Sequence, residues 1–96
     1  MASESRLGDL ALRLRVRQLI QNNRLPVVTP KRILAGYGTG DVCAVCGQPI
    51  TNTQVEYDIE DASHDGRLIF HMRCHAIWQL ECALRTEYSS GSQPTL

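Results

Sequence analysis

Cys43-Ala44-Val45-Cys46-Gly47, answered downstream by His71-Met72-Arg73-Cys74, decides how this 96-residue chain folds. The pattern is C-x2-C, 24 residues, then H-x2-C. Three thiolates and one imidazole form a complete tetrahedral ligand set for zinc. Two cysteines so spaced face one ion from a tight turn. The second pair, three apart, shares one face of a helical turn. Gly47 directly follows the second thiol, where the turn needs a positive φ that glycine adopts without steric cost. The predicted metal ligands are therefore Cys43, Cys46, His71 and Cys74, holding one structural Zn2+. His75 is the alternative imidazole. It points about 100° away from Cys74 on a helix, which favours His71.

Working outward, Gln54 to Glu60 alternates, with Val55, Tyr57 and Ile59 on one face and Glu56, Asp58 and Glu60 on the other. That predicts a half-buried strand with an acidic outer surface. Asp61 to Gly66 is the loop, and Arg67 to Phe70 the returning strand. From about His71 the pattern turns helical, through Ile77, Leu80, Leu84 and Tyr88. Trp78 anchors the core, and Cys82, four residues on, packs as a small apolar side chain. Ser89 to Leu96 reads as a disordered tail.

Upstream, residues 5–22 read as an amphipathic helix, with Ser3 or Ser5 as its cap. Leu7, Leu10 and Leu14 mark its stripe, which Leu12, Val16, Leu19 and Ile20 could extend. Pro26 stops it, and Leu25 to Ile33 is extended. Gly36-Tyr37-Gly38-Thr39-Gly40 reads as a flexible loop before the metal module. The predicted organisation is a basic amphipathic helix and arm over 1–37, a zinc module over 38–88 and a tail over 89–96.

The net charge is zero, but it is unevenly spread. Residues 1–37 carry seven cationic side chains against two carboxylates, and residues 38–96 carry three against eight. A basic arm on an acidic module signals contact with an anion, or attraction between the two halves. With one Phe and one Trp, the chain cannot build a large core, and a metal staple is expected at this size. No stretch is long and apolar enough for a membrane span, and the start is polar, so a cytoplasmic location is expected. Thiols stay reduced there, which favours metal ligation over disulfides.

The order of knuckle, hairpin and ligand-bearing helix resembles a treble-clef zinc finger. The C-x2-C…H-x2-C set is similar to the first zinc site of LIM domains, with Cys43, Cys46, His71 and Cys74 at the ligand positions. LIM domains continue into a second four-ligand site, whereas only Cys82 remains here, so the resemblance is to a single-site relative. Cys43 to Ile50 and Phe70 to Trp78 also look like segments of small uncharacterised bacterial zinc-binding proteins. The resemblance implies an α+β fold and a metal, and no reaction.

The expected function is a non-enzymatic protein-interaction or regulatory module. Helix 5–22 would dock on the zinc module, on a partner or on a second copy, giving a dimer. The alternative is a nucleic-acid-binding zinc finger using Arg13, Arg17, Arg24, Lys31 and Arg32 on phosphates. A nuclease of the His-Asn-His type would have only His64 and Asp65 to work with and lacks second-metal ligands. No small-molecule substrate is inferred.

Overall fold

The computed structural model describes residues 8–30, 32–60 and 67–91, with side chains as far as Arg85. Its elements run α1 (Asp9–Gln21), β1 (Ile33–Tyr37), β2 (Val55–Glu60), β3 (Arg67–His71) and α2 (Met72–Gly91). The strands form one antiparallel sheet in the order β1-β2-β3. The fold is small and α+β, as expected. Ser3, Ser5, Leu7 and the 61–66 loop lie outside the described residues.

The β2–β3 hairpin follows the sequence pattern, with Tyr57 opposite Phe70 and Ile59 opposite Leu68. Ile59 and Phe70 are fully buried. The outer face is less uniform than strict alternation implies. Glu56 is buried, because Thr39 folds over it and donates its backbone N–H and hydroxyl to the carboxylate, both at 3.3 Å. Asp58 instead pairs with Arg67 across the hairpin at 2.7 Å.

Gly36 and Tyr37, expected in a loop, belong to β1, which pairs with β2 from Ile33↔Ile59 to Tyr37↔Val55. The single glycine within β1, Gly36, does not break an edge strand when its partner supplies the ladder. Gly38 ends that strand for a different reason. A Cβ there would lie 2.3 Å from the carbonyl oxygens of Ile50 and Thr51, so only glycine allows the close approach.

Both helices are rotated relative to the expected stripes. In α1, Leu12 and Val16 are buried and Leu19 and Ile20 pack beside them, while Leu10 and Leu14 are exposed. In α2, Leu80 and Leu84 are exposed, and the inner face is Cys74, His75, Ile77, Trp78, Glu81 and Cys82. That face has the spacing of one helical side; it includes Cys74 and excludes both leucines. Ser89 to Gly91, expected in the tail, continue α2, since extending a formed helix is far easier than starting one. Residues 92–96 lie outside the described set.

The end of α1 is a full Schellman motif. Asn23 takes φ 60°, its N–H donates to the Ile20 carbonyl, and the Arg24 N–H donates to the Leu19 carbonyl at 2.7 Å. The turn sends the chain across α2. There the Trp78 indole N–H donates to the Pro26 carbonyl at 3.0 Å, and Gln79 Nε2 donates to the Val28 carbonyl at 3.1 Å. The Cys82 thiol also donates to Pro26, and its burial agrees with its expected packing role. The N-terminal helix and arm thus pack on the C-terminal helix within one chain.

Charge fixes that docking. Arg13 and Arg17, one helical turn apart, both bind the buried Glu81 carboxylate, at 2.9 and 3.0 Å. Burial pushes the Glu81 carboxyl up, but the hydrogen bonds and charges of Arg17 and Arg13 outweigh it and hold the group below its usual 4.5. A carboxyl whose folded value is depressed stabilises the fold above its unfolded value and loses that contribution as pH falls through the folded value. Glu81→Gln is therefore expected to lower the thermal midpoint at neutral pH. The gap between variant and parent should close as the pH falls below 4.5. Melting curves of both proteins across pH 3–7 check this.

Candidate metal centre

Three local structures bring the four predicted ligands together. The knuckle is closed by a bridge between Val42 and Pro49, with the Cys43 N–H on the Gln48 carbonyl at 2.9 Å and the Gly47 N–H on the Cys43 carbonyl at 3.1 Å. Gly47 sits at φ 76°, the left-handed conformation expected of it. The knuckle joins the free side of β3 through the Ala44 N–H and the Ile69 carbonyl, 2.8 Å apart. His71 closes β3, and Cys74 lies in the first turn of α2. The H-x2-C pair thus straddles a strand end and a helix start rather than sharing a helix face.

The ligand atoms of Cys43, Cys46, His71 and Cys74 all lie within 4.8 Å of one another. Donors about 2.0–2.3 Å from a tetrahedral ion stand roughly 3.3–3.8 Å apart, and Cys46 Sγ is already 3.4 Å from His71 Nδ1. All but Cys46 are buried, and none is in a disulfide. These four residues are positioned to bind a metal ion.

The surroundings favour a thiolate at Cys43 and neutral thiols at Cys46 and Cys74. The hydrogen bond with the Cys74 thiol holds Cys43 down at about 4; burial opposes this, and backbone N–H groups of Cys46, His71 and Val45 reinforce it. The Val45 and His71 amides stand 3.4 and 3.5 Å from the Cys43 sulfur. The same shared hydrogen bond raises Cys74, with burial adding to it. Burial also pushes Cys46 up. A bound metal ion would take the place of that shared proton.

Two residues outside the motif complete the site. Gln54 Oε1 lies 3.1 Å from His71 Nε2 and also accepts the Thr51 N–H at 2.9 Å. An acceptor there puts the imidazole proton on Nε2 and turns Nδ1, with its lone pair, toward the sulfurs. Arg15 reaches from α1 to donate to the Val45 carbonyl in the knuckle. Neither was legible in the sequence, since no spacing rule connects residues 54 and 71, or 15 and 45. Gln54→Ala is expected to weaken metal affinity by about 10–100-fold while leaving the stoichiometry unchanged. Competition with a chromophoric chelator measures it.

His75 is not among the clustered ligands. Its ring packs between Tyr57 and Phe70, at centroid distances of 4.8 and 5.7 Å, and meets Trp78 edge-on. Burial pushes its imidazole down, toward the neutral form.

Of the basic residues expected at a phosphate contact, Arg13 and Arg17 are bound to Glu81, and Arg24 and Arg32 are exposed. Lys31, His64 and Asp65 lie outside the described residues. No helix among the described residues is long and apolar enough to cross a membrane. Comparison with protein-family models, curated proteins and solved structures finds no match to the chain.

Proposed function

We propose that the chain is a single-site treble-clef zinc finger whose one zinc is structural, and that it works as a non-enzymatic protein-interaction module. The supporting observation is the completeness of the donor set. Three sulfurs and one imidazole nitrogen converge, and the second layer of N–H groups and Gln54 is already in place. Four protein ligands leave no position for a reactive water. Three thiolates and a neutral imidazole around Zn2+ carry a net −1, which makes the ion a poor Lewis acid. Arg15, hydrogen-bonded to the knuckle, brings a positive charge beside it.

The cobalt-substituted protein tests the structural role. With all four positions taken by protein, its visible absorption bands stay unchanged when azide is added. A shift would reveal an open position and favour a catalytic centre.

One observation supports nucleic-acid binding as the second reading. An open cleft of about 350 Å³ is lined by Arg15, Gln18, Leu19, Asn22 and Arg24. Arg13 and Arg17 are committed to Glu81, so of the expected phosphate contacts Arg24, Lys31 and Arg32 would remain. So few contacts imply a shallow salt dependence and weak affinity. A titration of labelled single- and double-stranded DNA at several salt concentrations separates the readings. Tight, steeply salt-dependent binding would favour nucleic acid over protein as the partner.

A further inference from the structure

The outer edge of β1 is open, and its sequence says what fits it. The Gly38 N–H donates to the Gln54 carbonyl at 2.9 Å, continuing the β1–β2 register by one residue. Opposed residues in an antiparallel ladder alternate between hydrogen-bonded and non-hydrogen-bonded pairs. Gly36 and Leu34 therefore bond inward to β2, while Ile33, Ala35 and Tyr37 direct their N–H and C=O groups outward. No described strand pairs with that edge. All five β1 residues are exposed, with Ile33 at 42%, Leu34 at 56% and Tyr37 at 75%. An edge is normally guarded by a charge, a proline or a bulge, and Ile33–Tyr37 contains no charged residue or proline and keeps an unbroken register.

We infer that a second copy of this chain pairs with that edge, antiparallel β1 to β1, with a two-fold axis at Ala35. The outward groups then form hydrogen-bonded pairs Ala35 to Ala35 and Ile33 to Tyr37, joining two three-stranded sheets into one of six. Ile33 facing Tyr37 of the second copy is a β-branched–aromatic pair, a favourable cross-strand combination. Leu34 falls opposite Gly36 of the second copy, where a Cβ would meet nothing within 4 Å and the larger side chain has room.

The ends match as well. Arg32 makes no ion pair among the described residues. The same register lays it opposite Gly38 of the second copy, beside Thr39, whose hydroxyl lies 3.2 Å from Asp41 and 3.3 Å from Glu56. Antiparallel pairing thus sets one cation against a pair of carboxylates twice, whereas parallel pairing would bring like ends together. This inference deepens the interaction-module reading and rests on it by naming the partner.

A five-residue edge is smaller than a standard interface, so the dimer is concentration-dependent. Sedimentation velocity from roughly 10 μM to 1 mM, the range in which such small interfaces associate, should show the parent shifting from monomer to dimer. Ala35→Lys and Ala35→Glu place like charges face to face across the axis, and each alone should weaken association about tenfold. Mixing the two variants should restore it, because Lys then faces Glu. Ala35 is exposed, and amide NMR dispersion confirms that each variant folds.

A parent that stays monomeric throughout overturns the inference. So does a dimer indifferent to both single substitutions, which would place the contact elsewhere, or a mixture that fails to associate. Bound metal is counted on the same samples. A folded, metal-free dimer would refute the zinc reading and leave the strand pairing standing.

Discussion

Cys74→Ala is expected to abolish cooperative folding of residues 40–85. Structural zinc sites contribute about 10–16 kcal/mol of binding free energy, and that energy is folding energy where no site exists in the unfolded chain. Whole domains are stable by only about 5–15 kcal/mol, so losing a ligand removes as much as the fold has to lose. The geometry adds a second penalty. Cys74 lies on the inner face of α2, and without the full ligand set the sulfurs of buried Cys43 and half-buried Cys46 lose the compensation an ion gives for their desolvation. Amide NMR dispersion reads the outcome, and native-like dispersion in the variant would reject the prediction. Cys82→Ala is the control: its thiol lies against Pro26, outside the ligand cluster, so that variant keeps the metal and folds.

Trp78→Ala is expected to cost about 3–5 kcal/mol, the range for removing a large buried aromatic side chain. Trp78 is fully buried and stacks on Phe70 at 4.7 Å with the rings 14° apart. Its indole N–H holds the Pro26 carbonyl, so the residue binds the half that carries the Cys/His cluster to the arm leaving α1. Trp78→Phe keeps most of the ring contact and loses the hydrogen bond, for a smaller loss of about 1 kcal/mol beyond any packing change. Urea unfolding of the three proteins, compared at equal zinc, gives both differences. Equal stability of parent and Trp78→Ala would show that the arm and core are not joined there.

Features set by neighbouring residues were legible in the chain. The clustering of Cys43, Cys46, His71 and Cys74, the positive φ of Gly47 and the β2–β3 hairpin all follow from rules of spacing and alternation. The features missed depend on distant partners. Glu56 looked solvated because its cover, Thr39, comes from a segment 17 residues away. Nothing local in the sequence marks Glu81 as buried, although the opposite charges of the two halves pointed to internal attraction of this kind. The leucines misled at both helices, because Leu10, Leu14, Leu80 and Leu84 lie on outer faces. The inner face of α1 holds Leu12 and Val16, with the arginine clasp on Glu81 beside them, and that of α2 holds Cys74, Trp78 and Glu81. Rotation of a helix about its axis is a tertiary property, and local hydrophobicity is only one of its determinants.

Native mass spectrometry of the purified chain tests the central claim most directly. The account predicts one zinc per chain in the folded protein, lost together with the fold when Cys43, Cys46, His71 or Cys74 is replaced. A folded chain that carries no metal would contradict it and return the four residues to redox chemistry or ordinary packing.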